Sequence, residues 1–326
     1  MKFKGVDGLY CIAMTGIIAA AACILLSGCI KNKFVVKVKK DGSGDIIVTS
    51  IFSKETVSIF DMQMKQMKEA GGGGQIAMKD PFYNEEQIKQ QGSKFGPDVQ
   101  FVKAVKYDKD GCRGFVAQYS FPDINKISLS MKDKAFDPES AMMPEGVEPD
   151  ELAQADKAKD AFKFKFEKGD TAKLKIIGPP VPEKKAEAKE PAKADDKPAV
   201  PLEQTPQEKA EIQQLMANGN PLGLTGNETQ EQLAKKMFSG LRITMIVEVD
   251  GTDIKSNATY KSGDNNSKCT LFDMDMDALM EQPSFMKTMM NGPGGPGMDL
   301  LDMYSSTPES KGFLLEKNKE TVIEFK

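Results

Sequence analysis

In several short runs of this chain apolar residues recur at every second position, the period of a half-buried strand. Leu241, Ile243, Met245, Val247 and Val249 give the cleanest example, and Phe115, Ala117, Tyr119 and Phe121 give another. Phe162, Phe164 and Phe166 alternate with lysines, as do Ala172, Leu174 and Ile176, which predicts a hairpin with its lysines in solvent. Two further hairpins follow from β-rich runs around Gly-containing turns: 33–40 and 45–52 across Asp41-Gly42-Ser43-Gly44, and 99–107 and 113–121 across Asp108-Lys109-Asp110-Gly111. Strands are also expected over 254–261 and 268–274, joined through Gly263 to Asn266, with short ones near 313–315 and 321–325.

Helical spacing is confined to shorter stretches. Ser53 caps a segment whose Val57, Phe60, Met64 and Met67 repeat at helical intervals until Gly71 to Gly74 end it. Asn84 and Gln87 form a capping-box start for a helix stopping near Gly92, and Asp123 leads into a short helix through Ile127. Thr205-Pro206-Gln207-Glu208 opens a helix reaching Asn218-Gly219, another covers Asn227 to Phe238, and a Met-rich helical stretch follows Met274. The fold class expected is therefore α+β, an antiparallel hairpin-rich sheet or sheets packed with several helices.

Composition divides the chain further. Segment 33–177 carries an acidic excursion at 132–159, free of basic residues from Asp137 to Asp156, and 178–205 is a Pro, Ala, Lys and Glu-rich linker with little to bury. Segment 206–326 follows. The two structured segments could each hold a sheet or share one.

The amino terminus brings in localisation. Lys2 and Lys4 precede an uncharged apolar stretch from Cys11 to Leu26, the layout of a signal peptide over 1–28. Leu26-Ser27-Gly28-Cys29 then resembles the lipobox of bacterial lipoproteins. That resemblance implies a Cys29 carrying a diacylglycerol thioether and an acylated (palmitoyl) amine, with 29–32 as the tether, and several acyl chains anchor far more firmly than one. Ile30 and Lys31 follow with no Asp at the second position, a pattern that in enterobacteria favours the outer over the inner membrane. A cysteine followed by a strand, Asp41-Gly42-Ser43-Gly44, a second strand and a helix is also similar to the start of LppM-like bacterial lipoproteins, a resemblance that implies an envelope lipoprotein without assigned catalytic residues.

Removal of the signal would leave Cys112 and Cys269 in an oxidising compartment, as a candidate disulfide or as two thiols. Histidine and tryptophan are absent from the 326 residues, which excludes Ser-His-Asp and Cys-His catalysis and every His-ligated metal site. Asp273-Met274-Asp275-Met276-Asp277 has the spacing of half an EF-hand loop, but Ala278 and Ser284 stand where glycine and glutamate are required. Met62, Met64 and Met67, and Met286, Met289 and Met290, have thioether spacing for Cu(I), and core filling or an adaptable apolar surface accounts for them as well. Gly71 to Gly74 lacks the Lys-Ser or Lys-Thr of a phosphate loop. With 44 basic against 48 acidic side chains and only Arg113 and Arg242 as arginines, no nucleic-acid surface is expected.

No catalytic residue, cofactor or metal is assigned, and no enzymatic activity is expected. The reading is a lipid-anchored cell-envelope protein of binding, scaffold or structural role, its partners being the membrane through Cys29 and other envelope proteins. The alternative is a carrier of lipid or another apolar ligand, lined by Met62 to Met67 and Met274 to Met290.

Overall fold

The computed structural model describes residues 31–54, 56–58, 60–61, 65, 80–130, 161–180, 235, 240–285 and 311–326. Segments 1–30, 131–160 and 181–234 lie outside them, and with them fall the signal peptide, Cys29, the acidic excursion, nearly all of the linker and the helix expected at 205–218.

Thirteen strands form two sheets among the described residues. The larger runs β10 (Lys261–Ser262), β11 (Lys268–Asp275), β8 (Arg242–Asp250), β1 (Lys31–Lys39), β2 (Gly44–Phe52), β4 (Cys112–Phe121), β3 (Gln100–Lys109), with β12 (Phe313–Leu315) also on β11. The smaller runs β5 (Ser128–Ser130), β6 (Ala161–Glu167), β7 (Ala172–Ile177), β13 (Glu320–Phe325), β9 (Lys255–Ser256). Both sheets draw strands from before 178 and after 206, so neither segment keeps a sheet to itself.

The expected α+β class is overturned. Strands take 51% of the described residues, against 20% in helix, and the helices are short: α1 (Glu85–Phe95), α2 (Met276–Met280) and two 3-10 turns beside a few helical residues after β2. Nor is the large sheet wholly antiparallel. β1 lies parallel to β8 in a nine-residue register from Lys31 opposite Arg242 to Lys39 opposite Asp250. Parallel neighbours need a long crossover, and here residues 40–241 intervene. A local hairpin reading has no signal for such a pair.

Alternation explains why the strands pack as they do. On β1 the side chains of Asn32, Phe34, Val36 and Val38 are buried, and Lys31, Lys33, Val35 and Lys37 face the other way. Ile46, Val48, Met245, Val247, Ala117 and Tyr119 extend that apolar face to neighbouring strands. Phe162, Phe164, Leu174, Ile176, Ile323 and Phe325 supply the matching face of the smaller sheet. At about 25 cal/mol per Å² of apolar surface removed from water, this shared core is the main stabilising term. A bulge between Thr270 and Phe272 turns both Leu271 and Phe272 inward, at 0% and 1% exposure.

The β1–β2 turn also ties the two sheets together. Asp41 Oδ1 accepts hydrogen bonds from the Ser43 N–H (2.9 Å) and hydroxyl (2.7 Å), and these bonds lower the pKa of its carboxyl. Gly42 sits at φ +88°, where any side chain would be strained and would strike the Phe166 ring. Its carbonyl accepts from the Ile124 N–H at 2.9 Å, and Asn125 of the same 3-10 turn accepts from the Phe166 N–H at 2.7 Å. The expected hairpin turn thus doubles as a clasp from β1–β2 to β6.

The strand expected over 254–261 is instead two short pieces in different sheets. β9 pairs with β13 and β10 with β11, the chain crossing between sheets in between.

Candidate functional site

A recess lies where α1 passes over the end of β3. Asn84 caps α1, its Oδ1 accepting from the N–H groups of Glu86 (3.2 Å) and Gln87 (3.4 Å), with Glu85 and Glu86 in the first turn where negative charge is favourable. Ile88, Gly92 and Phe95 face inward. Expected to stop near Gly92, the helix continues to Phe95 because this glycine meets packing needs: a Cβ there would stand 3.0 Å from the Tyr119 ring. Tyr119 is the central post. Its ring meets Phe95 and Phe101 edge-on at 5.4 and 5.9 Å, and its hydroxyl donates to the Ile88 carbonyl at 2.6 Å. Burial raises the phenol's pKa, so it stays a donor at neutral pH.

Glu86, Lys89, Gln90 and Ser93 on the outward side of α1, with Val99, Gln100 and Phe101 beneath, enclose an open groove of about 840 Å³. Beyond it β3 runs as an edge, paired among the described residues with β4 alone. A bulge at Val102 interrupts its register. Among the described residues, the two exposed large apolar side chains are Val102 and Val105, 48% and 55% exposed, both on this strand. Lys106 reaches Asp80 at 2.6 Å. Burial would raise the Asp80 pKa, but the Lys106 ammonium and the Phe82 N–H outweigh it, and the carboxyl titrates below its usual range. The arrangement offers main-chain hydrogen bonding, apolar contact and charge, the ingredients for gripping an extended chain.

A second feature, the outer face of β8, β11 and β1, is already internally paired. Arg242 grips Asp273 with two bonds of 3.0 and 2.7 Å, Thr244 donates to Asp273 at 2.7 Å, and Glu248 stands between Lys37 (3.8 Å) and Lys268 (3.9 Å). The Asp273 partnership raises the Arg242 pKa further. Lys33 lies on this face, its pKa lowered by burial and then by Lys268. On the smaller sheet Lys173 and Lys175 likewise bridge Glu324 (3.0 Å) and Glu167 (2.8 Å).

The residues singled out in the sequence scatter across the fold. Cys29, Met62, Met64, Met67, Met286, Met289 and Met290 lie outside the described residues. Cys112 and Cys269 are free thiols, on β4 and β11. Four strand intervals of about 4.8 Å separate those strands, far beyond disulfide reach. Cys269 is buried, which pushes its thiol up to about 12 and leaves it unreactive. Of the acid ladder, Asp273 bonds Arg242 and Thr244, Asp275 caps α2 through the Ala278 N–H (3.3 Å), and Asp277 accepts from the Gly240 N–H (2.7 Å). Met274, Met276 and Met280 fill core at 2–3% exposure. No cluster of three potential metal ligands occurs among the described residues, and no described helix is long and apolar enough to cross a membrane. The groove itself went unnoticed in sequence, although the Asn84 cap and the 99–107 strand were both expected there.

No family model matches the chain, and no curated protein matches it. Among solved structures it is similar to the folded domain of the LppM protein of Mycobacterium tuberculosis, determined by NMR, at 10% identity and a TM-score of 0.20, over 76% of this chain and 84% of that one. At that score the likeness carries no argument about this chain.

Proposed function

We propose that this protein is a lipid-anchored component of the bacterial cell envelope that works by binding other envelope proteins, without chemistry of its own. The observation that carries the binding reading is the contrast between interior and surface. Between the sheets, Phe34, Tyr119, Phe162, Phe272 and Phe325 are each below 2% exposure, so the core is filled by side chains. An apolar-ligand carrier needs an apolar cavity of several hundred Å³ in that place. Recess and exposed apolar groups occur together at α1 and β3 instead.

The anchor rests on Leu26-Ser27-Gly28-Cys29. β1 begins at Lys31, inside the tether expected over 29–32. Two residues span at most about 7 Å, so a lipidated Cys29 would hold the start of β1, a central strand, close against the lipid surface. The chain would then stand on the membrane with little freedom to tilt. Replacing Cys29 by Ala in the full chain tests this: acyl labelling and membrane retention are expected to be lost together. Undiminished retention in the variant would refute the anchor.

A further inference from the structure

We infer that β3 is a self-association edge, at which a second copy of this chain adds its own β3 antiparallel across a twofold axis through Val105. The inference deepens the binding reading above by naming the partner, and it does not depend on Cys29.

A bare edge of this length invites strand addition, and proteins usually blunt such edges with lysines, bulges or covering loops. Here β3 carries Lys103, Lys106 and Lys109 and a bulge at Val102, yet it also exposes two valines. Together these features discriminate between registers. On the outer face, Lys103, Val105, Tyr107 and Lys109 lie opposite Gln118, Val116, Gly114 and Cys112 of β4. A twofold perpendicular to the sheet sets outward residues of one copy against outward residues of the other.

The centres to compare lie near the middle of the strand, since one on Tyr107 would confine the ladder to residues 105–109 and leave Val102 bare, and one on Lys103 would take in the bulge. An axis through Lys106 would put Lys106 opposite itself and Lys103 opposite Lys109, like charges directly facing, which is destabilising. An axis through Ala104 would draw the Val102 bulge into the new ladder, where the extra residue breaks the pairing. An axis through Val105 avoids both faults. It sets Val105 on Val105, Lys103 on Tyr107 and Ala104 on Lys106, and places Val102 against Asp108 at the margin where the bulge ends the pairing. Lys106 keeps its own Asp80 in this register, and each Lys103 ammonium can lie over the facing Tyr107 ring. Val105 is covered by its own symmetry mate, and Val102 lies at the margin of the contact.

The groove fits the same scheme. Its floor includes Gln100 and Phe101, at the end of β3 where the partner's strand would leave the ladder. The new ladder is short and the contact correspondingly small, so the dimer is a weak one that gains from confinement of both copies to one surface.

The test uses the full chain in detergent with Cys112 replaced by Ser, the parent reporting any cross-linking through the remaining cysteines. Directly opposed Cβ atoms lie about 4.5–5.5 Å apart, close enough for a small adjustment to bridge them. Two copies of residue 102 are displaced by six positions, about 20 Å along the strand. Val105→Cys is therefore expected to give about tenfold more disulfide-linked dimer on mild oxidation than Val102→Cys, a contrast set by disulfide reach. Sedimentation of the unmodified chain should show mass rising toward twice the monomer with concentration, and Val105→Lys should hold it at the monomer. Equal cross-linking at 102 and 105, or an unmodified chain that stays monomeric throughout, would overturn the proposal. So would a monomer that instead accepts an extended segment of another protein on β3.

Discussion

At one end of the large sheet β3 offers ten residues of strand with no described neighbour on its far side; at the other, β10 is two residues and β12 three. What secures each end differs as well. Outside the buried Tyr119 hydroxyl bond to the Ile88 carbonyl, the β3 end carries polar contacts around its rim: Lys106 to Asp80, Lys126 to Asp98 at 2.6 Å, and Arg113 to Asp61 at 3.0 Å. The β11 end is sealed by apolar groups, with Phe272 and Phe313 edge-on at 5.3 Å between Met274 and Leu315. Glu316 closes it, accepting from the Thr259 N–H and hydroxyl and from Asn318. An end buried in this way leaves little edge for a partner. An end held by rim contacts keeps its strand in reach of one, which is why the candidate site lies there.

The largest effect expected from this contrast is at the sealed end. Phe272→Ala removes a side chain at 1% exposure beside a bulge, and should cost about 3–5 kcal/mol. Denaturant unfolding reads it directly. The pinned end should be far less sensitive to single changes. Tyr119→Phe keeps the ring and its contacts with Phe95 and Phe101 and deletes only the hydroxyl bond to Ile88, at a cost of about 1 kcal/mol. Hydrogen exchange along α1 should quicken in that variant while β11 is unchanged. A Tyr119→Phe cost equal to that of Phe272→Ala would erase the distinction between the two ends.

The same contrast decides what could be read from sequence. Hairpins were legible wherever strand and turn are adjacent: 99–107 and 113–121 around Asp108 to Gly111 became β3 and β4, and the lysine-faced pair became β6 and β7. The parallel pairing of β1 with β8 was invisible, because two regular strands on either side of a linker carry no record of which neighbour each takes. The helix weighting failed for a related reason, since capping signals mark where a helix can begin and not how much of a fold helices supply. At the site, Asn84 announced α1. Val105 announced nothing, for strict alternation from Phe101 would put it on the inner face, and only the bulge at Val102 turns it outward. Edge position, which makes those valines matter, exists only once the order of strands is known.

The smallest effect tests whether the rim contacts are as slight as the contrast requires. Asp80 titrates below its unfolded value near 3.8, chiefly because the Lys106 ammonium and the Phe82 N–H overcome its burial. A carboxyl depressed in the folded state contributes stability that is fully present above its unfolded pKa and is lost as pH falls through the folded one. Stability should therefore be insensitive to Asp80 from about pH 7 to pH 5 and should decline below about pH 4. Both partners are substantially exposed, Lys106 by 44% and Asp80 by 28%, so solvent screening keeps the contribution to about 0.5 kcal/mol. Asp80→Asn should remove that part of the acid dependence while lowering neutral-pH stability by no more than this amount, and 1 M salt should shrink the difference between the two proteins. Acid profiles that stay superimposable would mean that the ion pair adds nothing to the fold. A loss of several kcal/mol would mean that the rim, like the sealed end, is part of the core, and β3 would then lack the looseness that distinguishes it.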